Sequence, residues 1–185
     1  MFRVWILPAL ALICAVPWGV IRLVMRVPVR RAAMEALFAG YVGALLYIVF
    51  LQLPLRSDDT RFVWASVNLV PARTALGIIR DFPGLVIQQL LGNVIMFVPL
   101  GLFLPLLSRR FRRFTMTAAV GLSVSVGIEL VQFALLLTRT SRRSVDVDDV
   151  ILNATGACIG YLVWRGARAL AWTVPRRSGV LEEPL

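Results

Sequence analysis

The stretch from Leu85 to Leu107 reads LVIQQLLGNVIMFVPLGLFLPLL, 23 residues without a charged side chain. An α-helix rises about 1.5 Å per residue, so this run is long enough to cross the roughly 30 Å hydrocarbon layer of a bilayer. Pro99 removes a backbone donor and leaves the carbonyl of Ile95 without its helical partner, which predicts a kink. Gln89 and Asn93 place two amides one turn apart on one face, where lipid offers no hydrogen-bond partner. The run therefore reads as a membrane-spanning helix with one polar face.

Comparable runs lie on either side: Val4 to Ile21, Ala32 to Leu55, Thr115 to Thr138, and Val150 to Trp164 or somewhat beyond. The first matches a signal peptide in position, but its 18 residues exceed a usual signal core. Its Ala9-Leu10-Ala11 pattern also falls mid-run, where cleavage would be premature. Ala11-Leu12-Ile13-Cys14 lacks the small residue that a lipoprotein site has before its Cys, so a retained helix is expected. The expectation is an all-α fold, with one membrane domain over residues 1–174 holding five transmembrane helices and a disordered tail over 175–185.

Composition agrees. Hydrophobic residues make up 59% of the 185 and charged residues only 16%, whereas a soluble domain is nearer a quarter charged. The net charge of +10 comes from twenty Arg and no Lys, and these punctuate the apolar runs instead of forming one basic face. That pattern argues against nucleic-acid binding and for helix ends that meet anionic lipid. Arg without Lys also suits a GC-rich bacterial genome. The absence of His removes His-based zinc sites, Ser-His-Asp triads and His proton shuttles. Cys14 and Cys158 lie inside apolar runs and read as small hydrophobes, not as a disulfide or metal pair.

Counting Arg by alternate sides gives twelve on the side of Arg30, Arg31, Arg109, Arg110 and the tail, against eight on the other. The positive-inside rule then puts the amino terminus outside and the carboxyl terminus in the cytoplasm. Between the second and third runs, Phe62-Val63-Trp64 supplies an aromatic belt, and Pro71 stands at the start of an amphipathic piece from Thr74 to Phe82. That piece is expected to lie along the outer surface. Glu35, one turn after Arg31, is expected to form an interfacial i,i+4 ion pair.

Four polar residues fall inside runs: Asn93, Glu129, Gln132 and Asn153. With this orientation all four lie in the outer half of the bilayer. Their faces agree too. Gly121, Ser125, Glu129 and Gln132 form one helical stripe, and Asp146, Asp149, Asn153, Gly156 and Gly160 form another. The small residues permit close helix approach, so three helices are expected to meet around a polar cavity open to the outside. Plainer accounts stand beside this one. The amides can be interhelical hydrogen bonds, and Glu129 can be a buried, protonated structural acid. Asp146 and Asp149 have N-cap and N3 spacing, and Asp148 is expected to face solvent or Arg142 and Arg143.

At these residues the chain resembles the VanZ-like family of bacterial membrane proteins. The resemblance is carried by Asn68-Leu69-Val70-Pro71 with Arg73-Thr74, by Gly92-Asn93-Val94-Ile95-Met96-Phe97-Val98-Pro99-Leu100-Gly101, and by Ile128-Glu129-Leu130-Val131-Gln132. Arg143, the run Asp146 to Asn153, and Gly156 with Gly160 complete it, over about 67–164. Ala72 departs from the Phe that the family often has there. The resemblance implies a place in the bacterial cytoplasmic membrane and an envelope role of the kind linked to teicoplanin-type glycopeptide resistance. It brings no settled enzymatic activity.

The leading expectation is a non-enzymatic envelope protein whose outward cavity binds a lipid-linked or glycopeptide-like headgroup. Arg73 and Arg143 would donate to phosphate or carboxylate, and Asn93, Glu129, Gln132, Asp146, Asp149 and Asn153 would line the site. A membrane-embedded enzyme acting on a cell-wall precursor, with Glu129 as general acid and Asp149 as base, is the rival. Asp146, Asp148 and Asp149 as Mg²⁺ or Ca²⁺ ligands, and a scaffold for a partner membrane protein, are further alternatives. No cofactor and no metal are expected.

Overall fold

Helices form where the apolar runs predict them. The computed structural model describes residues 3–51, 67–138 and 144–173. Helix α1 (Arg3–Val24) turns at Arg26, which has a positive φ of 56°, into α2 (Val29–Leu46), and a π-helical turn, Tyr47–Leu51, extends α2. After a two-residue strand β1 (Val67–Asn68) comes the short α3 (Arg73–Asp81). A 3-10 turn (Pro83–Leu85) and a π turn (Ile87–Leu91) lead into α4 (Gly92–Leu107), which carries Pro99 and Pro105 inside it. A second 3-10 turn, Arg109–Arg112, precedes α5 (Phe114–Leu137). Strand β2 (Val145–Asp146) then opens directly into α6 (Val147–Thr173).

Among the described residues, three helical runs are long and apolar enough to cross a membrane: Val29–Val49, Pro83–Leu107 and Phe114–Leu137. Their bounds lie within about three residues of the runs read from sequence, except that 52–55 fall outside the described residues. The apolar part of α1, Ala9–Val24, is shorter, and α6 is long but diluted by polar residues. The surface is apolar: Leu37, Ile95 and Leu130 are each 63% exposed. Thr117, Ser125, Gln132 and Asn153 are buried instead. That inversion suits a bundle solvated by lipid, where helices associate through packing and interhelical hydrogen bonds.

Helix α6 lies against both α4 and α5, and small residues allow this. A Cβ on Gly156 or Gly160 would collide with the carbonyls of Val94 and Val98, and one on Gly101 would collide with the carbonyl of Ala157. Gly121 of α5 meets the other flank of Ala157, whose Cβ would lie 2.5 Å from an added methyl. Around this seam Leu45, Val49, Phe97, Leu100, Leu104 and Ile128 form the core. Helix α1 packs on α2, where an added Cβ at Gly43 would sit 2.7 Å from Cys14 Sγ. Glu35 ties the base of that hairpin: Arg31 Nε donates to it at 3.0 Å, as the i,i+4 spacing predicts, and Arg22 reaches it from α1. Tyr41 Oη donates to the Met96 carbonyl at 3.0 Å and joins the hairpin to α4.

Two chain segments absent from the apolar pattern close one end. Strands β1 and β2 pair in parallel, Val67 with Val145 and Asn68 with Asp146. The loop before α3 and the loop before α6 therefore sit together. Helix α3 lies beside them, burying Ile78 while Leu76, Ile79 and Phe82 stay exposed. Pro71 precedes the helix by two residues, outside its first turn, because Ala72, with φ 64°, is the N-cap. No strand was expected in this chain.

Candidate functional site

A polar cleft of about 620 Å³ opens at the α3 end of the bundle. Asn93 of α4, Gln132 of α5, and Asp146 and Asp149 at the start of α6 all line it, with Thr74 and the amides of Gln88 and Gln89 at its edge. Asn93 faces the cleft because it follows Gln89 by one turn on the same helical face. Its Nδ2 donates to Asp149 Oδ1. Asp149, at N3 of α6, thus reaches a neighbouring helix.

Asp146 is the N-cap that its position predicts: its Oδ1 accepts from the Asp148 N–H at 2.9 Å. The same oxygen accepts from Asn68 Nδ2 at 2.9 Å, and Asn68 Nδ2 also reaches Thr74 Oγ1 at 2.9 Å. Glu129 stands behind this cap. Its Oε2 accepts from the Asp146 backbone N–H at 3.0 Å, so α5 fixes the strand that begins α6. Asn153, deeper in the seam, donates from Nδ2 to Ser125 Oγ at 2.9 Å, and its Oδ1 is buried without a partner. Glu129 and Asn153 are therefore wall residues, not part of the cleft lining. Of the four intramembrane polar groups expected to share one cavity, Asn93 and Gln132 line this cleft and Glu129 and Asn153 do not. Glu129 lies nearly one turn further from the opening than Gln132 along α5, and Asn153 one turn further than Asp149 along α6.

Asp148 also departs from expectation. It is 3% exposed rather than facing solvent, and its Oδ1 and Oδ2 accept the backbone N–H groups of Ala72 and Ala75. Helix α3 has no capping side chain of its own, and Asp148 supplies the missing acceptor from across the chain. The sequence signal for this contact is the lack of Ser, Thr, Asp or Asn at position 72. Arg73 is exposed at the start of α3 and does not line the cleft, and Arg143 lies outside the described residues.

The three aspartates do not converge as metal ligands, since the oxygens of Asp148 and Oδ1 of Asp146 already accept N–H groups. Among the described residues, no group of three or more His, Cys, Asp or Glu has the geometry to hold a metal ion. The lining offers carboxylates, amides and hydroxyls, with no Arg among the described lining residues. Such a surface suits a partner rich in hydroxyls, amides or amines more than one recognised by its phosphate.

An all-helical chain with three apolar runs of spanning length, an apolar exterior and a buried polar seam is a membrane protein. The family model described as VanZ/LLP1 matches residues 38–171, and the chain belongs to that family. The match takes in the second half of α2 and nearly all of α6, and so extends beyond the motif blocks of 67–164 at both ends. No curated protein and no solved structure matched the chain.

Proposed function

We propose that this VanZ/LLP1-family protein is a non-enzymatic, multi-pass protein of the bacterial cytoplasmic membrane. Its cleft takes up a polar headgroup, lipid-linked or glycopeptide-like, from the outer side. Helices α1 and α6 then complete five spans, with the amino terminus outside. The observation that carries this reading is the convergence of Asn93, Gln132, Asp146 and Asp149, from three helices, on one open cleft of about 620 Å³. Asp149 and Asn93 form its polar centre, and Gln88, Gln89 and Thr74 offer further donors and acceptors to sugar or peptide groups. Glu129 and Asn153 position that centre from behind, and Arg73 stands at the rim.

Binding is favoured over acid–base chemistry because Glu129 accepts from the backbone of Asp146 and Asp149 from Asn93. Asp149 lines the cleft and Glu129 does not, so the two do not face each other across it as an acid–base pair. A contribution to glycopeptide tolerance follows if the captured headgroup belongs to the antibiotic or its target. The test is saturable binding of a lipid-linked cell-wall precursor, and separately of teicoplanin, to the purified full chain. Binding without turnover that is lost in Asn93→Leu supports the reading. Turnover of the precursor refutes the non-enzymatic assignment, and equal binding by Asn93→Leu refutes the cleft.

A further inference from the structure

At the opposite end of the bundle, the α1–α2 turn and the Arg109–Arg112 turn enclose a recess of about 380 Å³. Arg30, Arg31, Arg109 and Arg112 line it above a floor that includes Met34 and Leu107. Arg31 is engaged by Glu35 at 3.0 Å, whereas Arg30, Arg109 and Arg112 have no carboxylate partner among the described residues. Both helices that begin at this end, α2 and α5, lack an acidic residue in the first turn and lack a side-chain cap. The α2 N-cap, Pro28, itself lines the recess. The guanidinium groups of Arg30, Arg109 and Arg112 therefore give the recess a positive field.

That field meets an apolar groove. Leu107 also lines a second hollow, of about 450 Å³, which runs along α2 from Glu35 to Leu46 with Cys14, Trp18 and Phe38 in its walls. Eleven helical steps extend about 16 Å, which matches the hydrocarbon depth of one leaflet, about 15 Å. We infer that the two hollows form a binding site for one anionic phospholipid of the leaflet at the arginine-rich end. Its phosphate sits among Arg30, Arg109 and Arg112, and an acyl chain lies in the groove of Cys14, Trp18 and Leu46. A guanidinium fork suits phosphate, and Arg near a charged bilayer contributes roughly fivefold in affinity per residue. The site stands on the membrane character of the chain and is independent of any ligand at the other end.

Native mass spectrometry of the delipidated full chain in detergent tests this, with phosphatidylglycerol and phosphatidylcholine of identical acyl chains as probes. Phosphatidylglycerol should bind one per chain and at least about tenfold tighter than phosphatidylcholine. Arg30→Gln/Arg109→Gln/Arg112→Gln should abolish the preference, and Arg80→Gln, whose native guanidinium is already paired with Asp81 near the cleft end, should not. Should the triple variant fail to assemble, Arg109→Gln on the exposed 3-10 turn gives the comparison, with a smaller loss of preference. Equal affinity of the two lipids overturns the inference, as does a preference that survives the Arg variants. Complete displacement by millimolar inorganic phosphate would assign the recess to a free anion and overturn the lipid.

Discussion

Asp148 shows how one side chain joins two parts of this chain. It sits in the first turn of α6, yet its carboxylate accepts the N–H groups of Ala72 and Ala75 and so closes the open start of α3. Asp148→Ala should leave those donors without their acceptor and cost about 0.5–2 kcal/mol, the scale of losing a helix cap. Hydrogen exchange should show lost amide protection across Arg73–Asp81, and unchanged protection there would refute the capping role. Glu129 and Asp149 should respond differently to loss of charge. Glu129→Gln keeps an acceptor for the Asp146 N–H, so membrane levels and headgroup binding should stay near wild type. Asp149→Asn removes charge from the cleft itself and should weaken headgroup binding by about tenfold, the scale of losing one charge-assisted hydrogen bond. A dead Glu129→Gln protein at normal membrane levels would instead point to proton transfer.

At the scale of elements, the α4–α6 seam carries the architecture. Gly156 and Gly160 let the carbonyls of Val94 and Val98 approach, and no larger residue fits without parting the helices. Gly156→Ala and Gly160→Ala should each destabilise by about 1–3 kcal/mol, the usual cost of overpacking. Gly127→Ala and Gly166→Ala, where nothing lies within 4 Å, should be neutral or slightly stabilising. Unfolding in mixed detergent micelles separates the two pairs, and similar losses at all four sites would mean the seam has no special role. The same seam explains why α6 falls short of the apolar spans. Asn153, midway along its apolar part, faces protein instead of lipid, so mean hydropathy understates how well that part suits a membrane interior.

At the scale of the whole molecule, the arginine-rich turns and the polar cleft occupy opposite ends of α4. In the proposed orientation the cleft faces outward. Single Cys residues in place of Ser144, near the cleft, and Arg110, at the other end, in a chain lacking Cys14 and Cys158, should report this. An impermeant thiol reagent applied to intact cells should label position 144 and spare 110. The reverse pattern would turn the cleft toward the cytoplasm and remove the basis for capture of an external headgroup.

The amino-acid sequence by itself determined the class, the apolar runs and the small-residue stripes, because these depend on composition and on a fixed 3.6-residue period. The Arg31–Glu35 pair and the Asp146 cap were legible for the same reason: both partners lie within one helical turn. The division of the polar residues between cleft and wall was decided only in three dimensions. Asn93 meets Asp149, Glu129 meets Asp146, and Asp148 meets Ala72 across separations of 17 to 76 residues. Nothing local specifies such contacts. They depend on how closely the glycines let α4, α5 and α6 approach, and on β1 pairing with β2, two strands too short to leave a period in the sequence.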